Sequence, residues 1–132
     1  MDQFAELASN VLNENIDLKH RGVIGIRKLI SVDYDPPIQQ VIDAQLIPIF
    51  IEMCKQSVYP QLQLEGTWIL TNVCSGNTSQ CETVIDKGGI PIFIRLLIEN
   101  RPGVVDQAVW AIGNLSGDCV SYRDKIISAG AI

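Results

Sequence analysis

Trp68-Ile69-Leu70-Thr71-Asn72 returns as Trp110-Ala111-Ile112-Gly113-Asn114, forty-two residues further along the chain. The repetition extends in both directions from this pair. Leu46-Ile47-Pro48-Ile49-Phe50 returns as Gly89-Ile90-Pro91-Ile92-Phe93 after forty-three residues, and Lys87-Gly88-Gly89-Ile90 returns as Ala129-Gly130-Ala131-Ile132 after forty-two. The first third fits the same frame with Ile24 at the Trp position and Lys28 at the Asn position. Between these landmarks the apolar residues follow the helical period. Phe4, Leu7, Ala8, Val11 and Leu12 stand at i, i+3, i+4, i+7 and i+8, and Val23, Ile26 and Ile30 continue such a stripe. Alternation of the strand kind is absent.

A helical period near 42 residues is that of armadillo and HEAT solenoids. Each unit reads as a short helix, a helix begun by Ile-Pro, and a long helix. Pro48 and Pro91 fall in a first turn, where the missing N–H has no helical partner to lose. Gly88-Gly89 and Gly130 turn the chain between the short helix and the next. Three helices per unit favour armadillo over HEAT. The expected architecture is therefore an all-α, right-handed armadillo solenoid. It has about three repeats, 1–45, 46–88 and 89–132, and about nine helices. Breaks are expected at Asn13–Asn15, Asp33–Pro37, Ser57–Pro60, Ser75–Thr78, Asn100–Gly103 and Gly117–Asp118, all rich in turn-forming residues. Gly22, Gly25, Gly66 and Gly113 lie inside helices, where they are expected to allow close approach between stacked repeats. Ile132 should open a further helix, so the array reads as truncated at its C-terminal end and open there to self-association.

Composition narrows the function. With 132 residues, 47% hydrophobic and 19% charged, the chain builds a core, which a disordered segment cannot do. A net charge of −5 argues against a bulk basic surface for nucleic acid and suits a cationic partner better. No apolar run reaches a membrane span, and the N-terminus shows no basic segment followed by an apolar one. Cys54, Cys74, Cys81 and Cys119 show no metal-ligand spacing and read as buried free thiols of a reducing compartment, cytosolic or nuclear. One His, His20, reads as an exposed polar residue. Without a nucleophile–base constellation, a phosphate loop or a metal cluster, the chain reads as no enzyme, and it implies no cofactor.

The two long helices, about 59–75 and 102–116, carry the residues that mark a site. Glu65, Trp68 and Asn72 share one helical face at i, i+3 and i+7, and Gln107, Trp110 and Asn114 have the same spacing. The core stripe uses other positions: Leu62, Ile69, Leu70 and Val73 in the first helix, Val105, Ala108, Ile112 and Leu115 in the second. Two indoles and two carboxamides thus line up along the stack outside the core. An Asn amide offers a donor and an acceptor, matching the C=O and N–H of one peptide unit. Indole faces form walls along which Lys or Arg stems lie with the charged head in water. Cation–π attraction adds about 0.5–1 kcal/mol per exposed contact. A single Trp at helical spacing is ordinarily core; two in register, each followed by Asn, point to a shared face for an extended basic peptide. Asp118 is the acid that would select a lysine, with a helix N-cap before 120–128 as its rival role. Glu65 and Glu99 read as solvated.

Glu65-Gly66-Thr67-Trp68-Ile69-Leu70-Thr71-Asn72-Val73-Cys74-Ser75-Gly76 and Asp106-Gln107-Ala108-Val109-Trp110-Ala111-Ile112-Gly113-Asn114-Leu115-Ser116-Gly117-Asp118 resemble importin-α, the armadillo adaptor that binds nuclear localisation signals. Pro36-Pro37-Ile38 and Ala44-Gln45-Leu46-Ile47-Pro48 fit the early repeats of that family. The resemblance implies that this stretch holds the major signal-binding site. Trp68 and Trp110 would flank lysine stems, and Asn72 and Asn114 would bond the peptide backbone. Asp118 would pair with the key lysine beside Ser75, the Gly76 carbonyl and the side chain at 81, and Gln107 would contact a further basic residue. Two positions depart from the family: Cys81 replaces the usual Thr, a stronger hydrogen-bonding group, and Val32 stands where a basic residue is frequent. By resemblance, importin-β would be met through a basic segment not seen in these residues, and the chain would work in cytoplasm and nucleus. The rival reading is an armadillo scaffold of adhesion or signalling, whose grooves are typically basic.

Overall fold

The computed structural model describes residues 3–32, 34–55, 59–97 and 102–118, without the side chains at 102, 104 and 114–118. The described residues form eight α-helices and no strand. They are α1 (Gln3–Val11), α2 (Ile16–Ile30), α3 (Ile38–Asp43), α4 (Ile47–Lys55), α5 (Pro60–Cys74), α6 (Thr78–Asp86), α7 (Gly89–Leu96) and α8 (Pro102–Asp118). Residues 119–132, where a further helix was expected, lie outside the described part.

The helix boundaries follow from local chemistry. Asn15 caps α2, its side chain accepting from the backbone N–H of Asp17 and Leu18. Asn77 and Gln80 form a reciprocal capping box at the start of α6. Pro60 opens α5, and Pro48 and Pro91 stand in the first turns of α4 and α7. The helices then stack in layers. The long helices α2, α5 and α8 lie side by side with α5 in the middle; α1, α4 and α7 back them; the short α3 and α6 pack on each other. One continuous core runs through the stack, from Val11, Val23 and Ile26 through Phe50, Ile69 and Leu70 to Phe93 and Ala108. Every repeat thus covers the apolar face of its neighbour, which is what makes such arrays cooperative.

Two expectations about glycine and one about histidine need correcting. The close approaches at Gly22 and Gly66 join helices within a repeat. A Cβ on Gly22 would stand 2.6 Å from the Leu7 carbonyl oxygen of α1, and one on Gly66 would stand 3.3 Å from Met53 Cβ of α4. Gly113 makes no close approach among the described residues. α8 reaches Asp118, the last described residue, so the break expected at Gly117–Asp118 falls at the edge of the described part. His20, expected at the surface, is half-buried, with Nε2 shielded and lacking a hydrogen-bond partner among the described residues.

The described cysteines, Cys54, Cys74 and Cys81, are buried, as their setting in the apolar stripes implied. Burial pushes the Cys54 thiol up to about 12, while its contact with Thr67 Oγ1 at 3.4 Å pulls weakly the other way. It stays a neutral, unreactive packing group at any ordinary pH.

One turn escaped the sequence reading. Between α3 and α4 the chain reverses through Gln45 with φ 60°, a left-handed conformation that costs a residue bearing Cβ about 1 kcal/mol. The equivalent turn before α7 uses Gly88 with φ 94° and open space where a Cβ would go. Gln45→Gly is therefore expected to raise stability by about 0.5–1 kcal/mol and Gly88→Ala to lower it by about 1 kcal/mol, since only the backbone conformation is at stake. Urea unfolding midpoints check both; equal midpoints for wild type and Gly88→Ala would contradict the assignment.

Candidate functional site

The site grows from α5. Leu62, Ile69, Leu70 and Val73 are buried in the core, as their spacing predicted, and this turns Glu65, Trp68 and Asn72 toward the flank shared with α2 and α8. A buried ladder of side chains stiffens the helix on its core side. Gln63 Nε2 donates to the Cys54 carbonyl at 3.0 Å, Thr67 Oγ1 to the Gln63 carbonyl at 2.7 Å, and Thr71 Oγ1 to the Thr67 carbonyl at 2.9 Å. Thr71 Oγ1 also lies 3.2 Å from the Gln107 carbonyl of α8, so it fixes α5 against the next repeat.

Toward α2 the contacts are polar and repeat-spaced. Asn72 Nδ2 donates to Ser31 Oγ at 3.1 Å, and Ser31 Oγ donates to the Arg27 carbonyl at 2.6 Å. Gln80 Nε2 of α6 donates to Gln39 Oε1 of α3 at 3.2 Å. Arg27 Nε lies 2.7 Å from Glu65 Oε2, and its guanidinium carbon lies 4.3 Å from the centre of the Trp68 ring. Glu65, read from the sequence as solvated, is instead 3% exposed. The reason is its partner: a carboxylate is tolerated in such a place only when paired and hydrogen-bonded, and Arg27 together with Gln61 Nε2 at 3.0 Å supplies both.

Two cavities open along this flank. One of about 370 Å³ is lined by Ser31, Trp68, Thr71, Asn72, Ser75, Gln107 and Trp110. Five of the predicted site residues thus meet in one space, both indoles among them. The other, of about 550 Å³, is lined in part by Ser31, Asp35, Asn72, Ser75, Gly76 and Gln80. Ser31, Asn72 and Ser75 belong to both walls, so the two form one trench. Trp110 is 67% exposed and Trp68 half-buried. Cys81 stands apart, with no exposed surface in α6. Asn114 and Asp118 lie on α8 with their side chains outside the described part, and Glu99 is outside it altogether. Among the described residues no cluster of His, Cys, Asp or Glu could hold a metal ion, and no described helix is long and apolar enough to cross a membrane.

Known proteins match this chain in sequence and in fold. Residues 77–117 match the armadillo/beta-catenin-like repeat family. In fold, the chain superposes on a designed armadillo repeat protein in complex with the peptide (KR)4 with a TM-score of 0.86, at 24% identity, over 97% of this chain and 53% of that one. Armadillo proteins computationally designed for modular peptide recognition superpose with a TM-score of 0.87, at 20% identity, over the same shares. The molecule is an armadillo-repeat array. By sequence it belongs to the importin-α family. It is 38% identical over its whole length to importin subunit alpha-2 of Arabidopsis thaliana and 42% identical over 80% of its length to importin subunit alpha-1b of Oryza sativa subsp. japonica. It is also 40% identical over 86% of its length to a probable importin subunit alpha-A of Dictyostelium discoideum. The chain spans 25%, 20% and 20% of those three relatives, so it corresponds to a fraction of their length.

The unequal exposure of the two indoles is directly measurable. Acrylamide is expected to quench a Trp68→Phe variant, which retains Trp110, more steeply than a Trp110→Phe variant, which retains Trp68 beneath Arg27. The reverse order would contradict the packing of Arg27 on Trp68.

Proposed function

We propose that this chain binds Lys/Arg-rich peptides in extended conformation along the row Trp68, Asn72, Trp110 and Asn114, as the signal-reading part of a nuclear import adaptor. The observation that carries the reading is the 370 Å³ space lined by two indoles, with Asn72 and Gln107 also in its walls. A lysine stem lying in such a space gains apolar contact on both sides, and its ammonium gains cation–π attraction of about 0.5–1 kcal/mol per ring. The Asn carboxamides meet the peptide backbone, whose C=O and N–H match their donor and acceptor, so they hold a strand without reading its side chains. Ser75, Gly76 and the residue at 81 would complete the lysine pocket; the burial of Cys81 weakens its share in that role.

Asp118 is the acid of the proposal. The continuity of α8 through Asp118 supports it, because positions 107, 110, 114 and 118 then recur on one side of the same helix. A hydrogen bond between opposite charges contributes about 1.5–3 kcal/mol, enough to choose lysine at one position. The importin-α relatives, and the designed armadillo array that carries a (KR)4 peptide, support a basic guest. Cargo proteins with nuclear localisation signals would be the partners, and cytoplasm and nucleus the places of work.

Fluorescence anisotropy with a labelled lysine-rich signal peptide at physiological salt tests this reading. Micromolar or tighter binding is expected, lost when the central lysine becomes Ala or Thr; equal binding of both peptides would reduce the interaction to bulk charge. Asp118→Lys should weaken binding by about tenfold or more, the equivalent of one charged hydrogen bond. Trp110→Ala should weaken binding with helicity unchanged; if it melts the array, Trp110 is a packing residue.

A further inference from the structure

Arg27 brings a permanent positive charge into the face proposed to receive positive charge. It stands on α2, one repeat ahead of Trp68, and its guanidinium lies 4.3 Å from the indole centre. It is not a mobile surface arginine. Nε is 2.7 Å from Glu65 Oε2, Nη2 is 3.5 Å from Glu65 Oε1, and the Arg27 side chain is 19% exposed against 4% for Glu65. Gln61 holds the same carboxylate from the other end. One turn along α2, Ser31 takes the Asn72 amide. Arg27 and Ser31 therefore close the seam between α2 and α5 over the stretch that bears Trp68 and Asn72.

An indole has two faces on which a cation can stack. The open space that Trp68 borders is also lined by Trp110, and Arg27 is not among its lining residues. We propose that Arg27 is a specificity-determining residue of the peptide face, a resident cation stacked on the first-repeat side of Trp68, which admits a guest Lys or Arg stem between Trp68 and Trp110 and excludes one from the α2 side. The inference rests on the basic-peptide reading. Its chemistry is simple. The guest and Arg27 compete for the same kind of contact, a planar or ammonium cation on an indole beside a carboxylate. Arg27 wins because it is tethered and its fork already spans both oxygens of Glu65. The pair also removes Glu65 from the set of acids a guest can reach, and so limits how many basic residues the first turn of the face recognises.

Removing Arg27 should convert the closed seam into an added cation site, with a bare indole and an unpaired carboxylate. The test uses the full chain and two labelled peptides with neutral flanks, one with two adjacent lysines and one with four. Lys87→Ala, an exposed change at the end of α6, controls for the loss of one positive charge. Relative to that control, Arg27→Ala is expected to tighten the four-lysine peptide by about tenfold, one added charged contact, and to leave the two-lysine peptide within about twofold. Arg27→Lys, which keeps a tethered cation on the ring, should restore the wild-type preference. If Arg27→Ala loses its helical signal, Arg27→Ala with Glu65→Gln takes its place, and stacking alone should still tighten the longer peptide by about threefold. Equal changes for both peptides, or a loss for the longer one, would overturn the inference and leave the basic-peptide reading standing. A wild-type chain that binds neither peptide would overturn both.

Discussion

A helix in the middle of a stacked array has to satisfy two neighbours at once, and α5 is the place where this chain meets that demand. Its apolar stripe is buried with α2, α4 and α8, and its buried threonines return their hydroxyls to its own carbonyls or to α8. Once those directions are fixed, Glu65, Trp68 and Asn72 have a single flank left. The flank's character is thus a consequence of how the core is filled. Polar groups placed there are matched across the seam with α2 by side chains four residues apart, Arg27 and Ser31.

These seam contacts set position more than stability. A buried ion pair such as Arg27–Glu65 returns little net free energy once desolvation is counted, whereas breaking it would strand a buried carboxylate at a cost of about 3–5 kcal/mol. That asymmetry makes the pair an effective lock: alternative registers of α2 on α5 are penalised even though the correct one gains little. The lock keeps Trp68 beneath a fixed cation while Trp68 and Trp110 line one open space.

Much of this was legible in the residues. The recurrence of Trp-x-x-x-Asn, the prolines at 48 and 91 and the Gly88 turn give the repeat, because each reports a local backbone rule that stacking does not override. The shared face of Trp68 and Asn72 followed from helical spacing. What failed did so for lack of long-range information. Glu65 looks solvated until α2 brings Arg27 across thirty-eight residues. Gln45 sits in a left-handed turn that its side chain does not advertise, since the neighbouring elements impose it. Gly113 gave the wrong signal, one of close approach, because glycine marks several structures and the sequence does not say which.

On the proposed function, one row of indoles and carboxamides forms the binding face. Nitrogen-15 NMR during titration with a lysine-rich signal peptide tests it most directly. The indole N–H signals of Trp68 and Trp110 and the side-chain amides of Asn72 and Asn114 are expected to shift together, with one common affinity, while amides of α1 and α7 stay still. Shifts centred on α1, α4 or α7, with the two indoles unmoved, would contradict it.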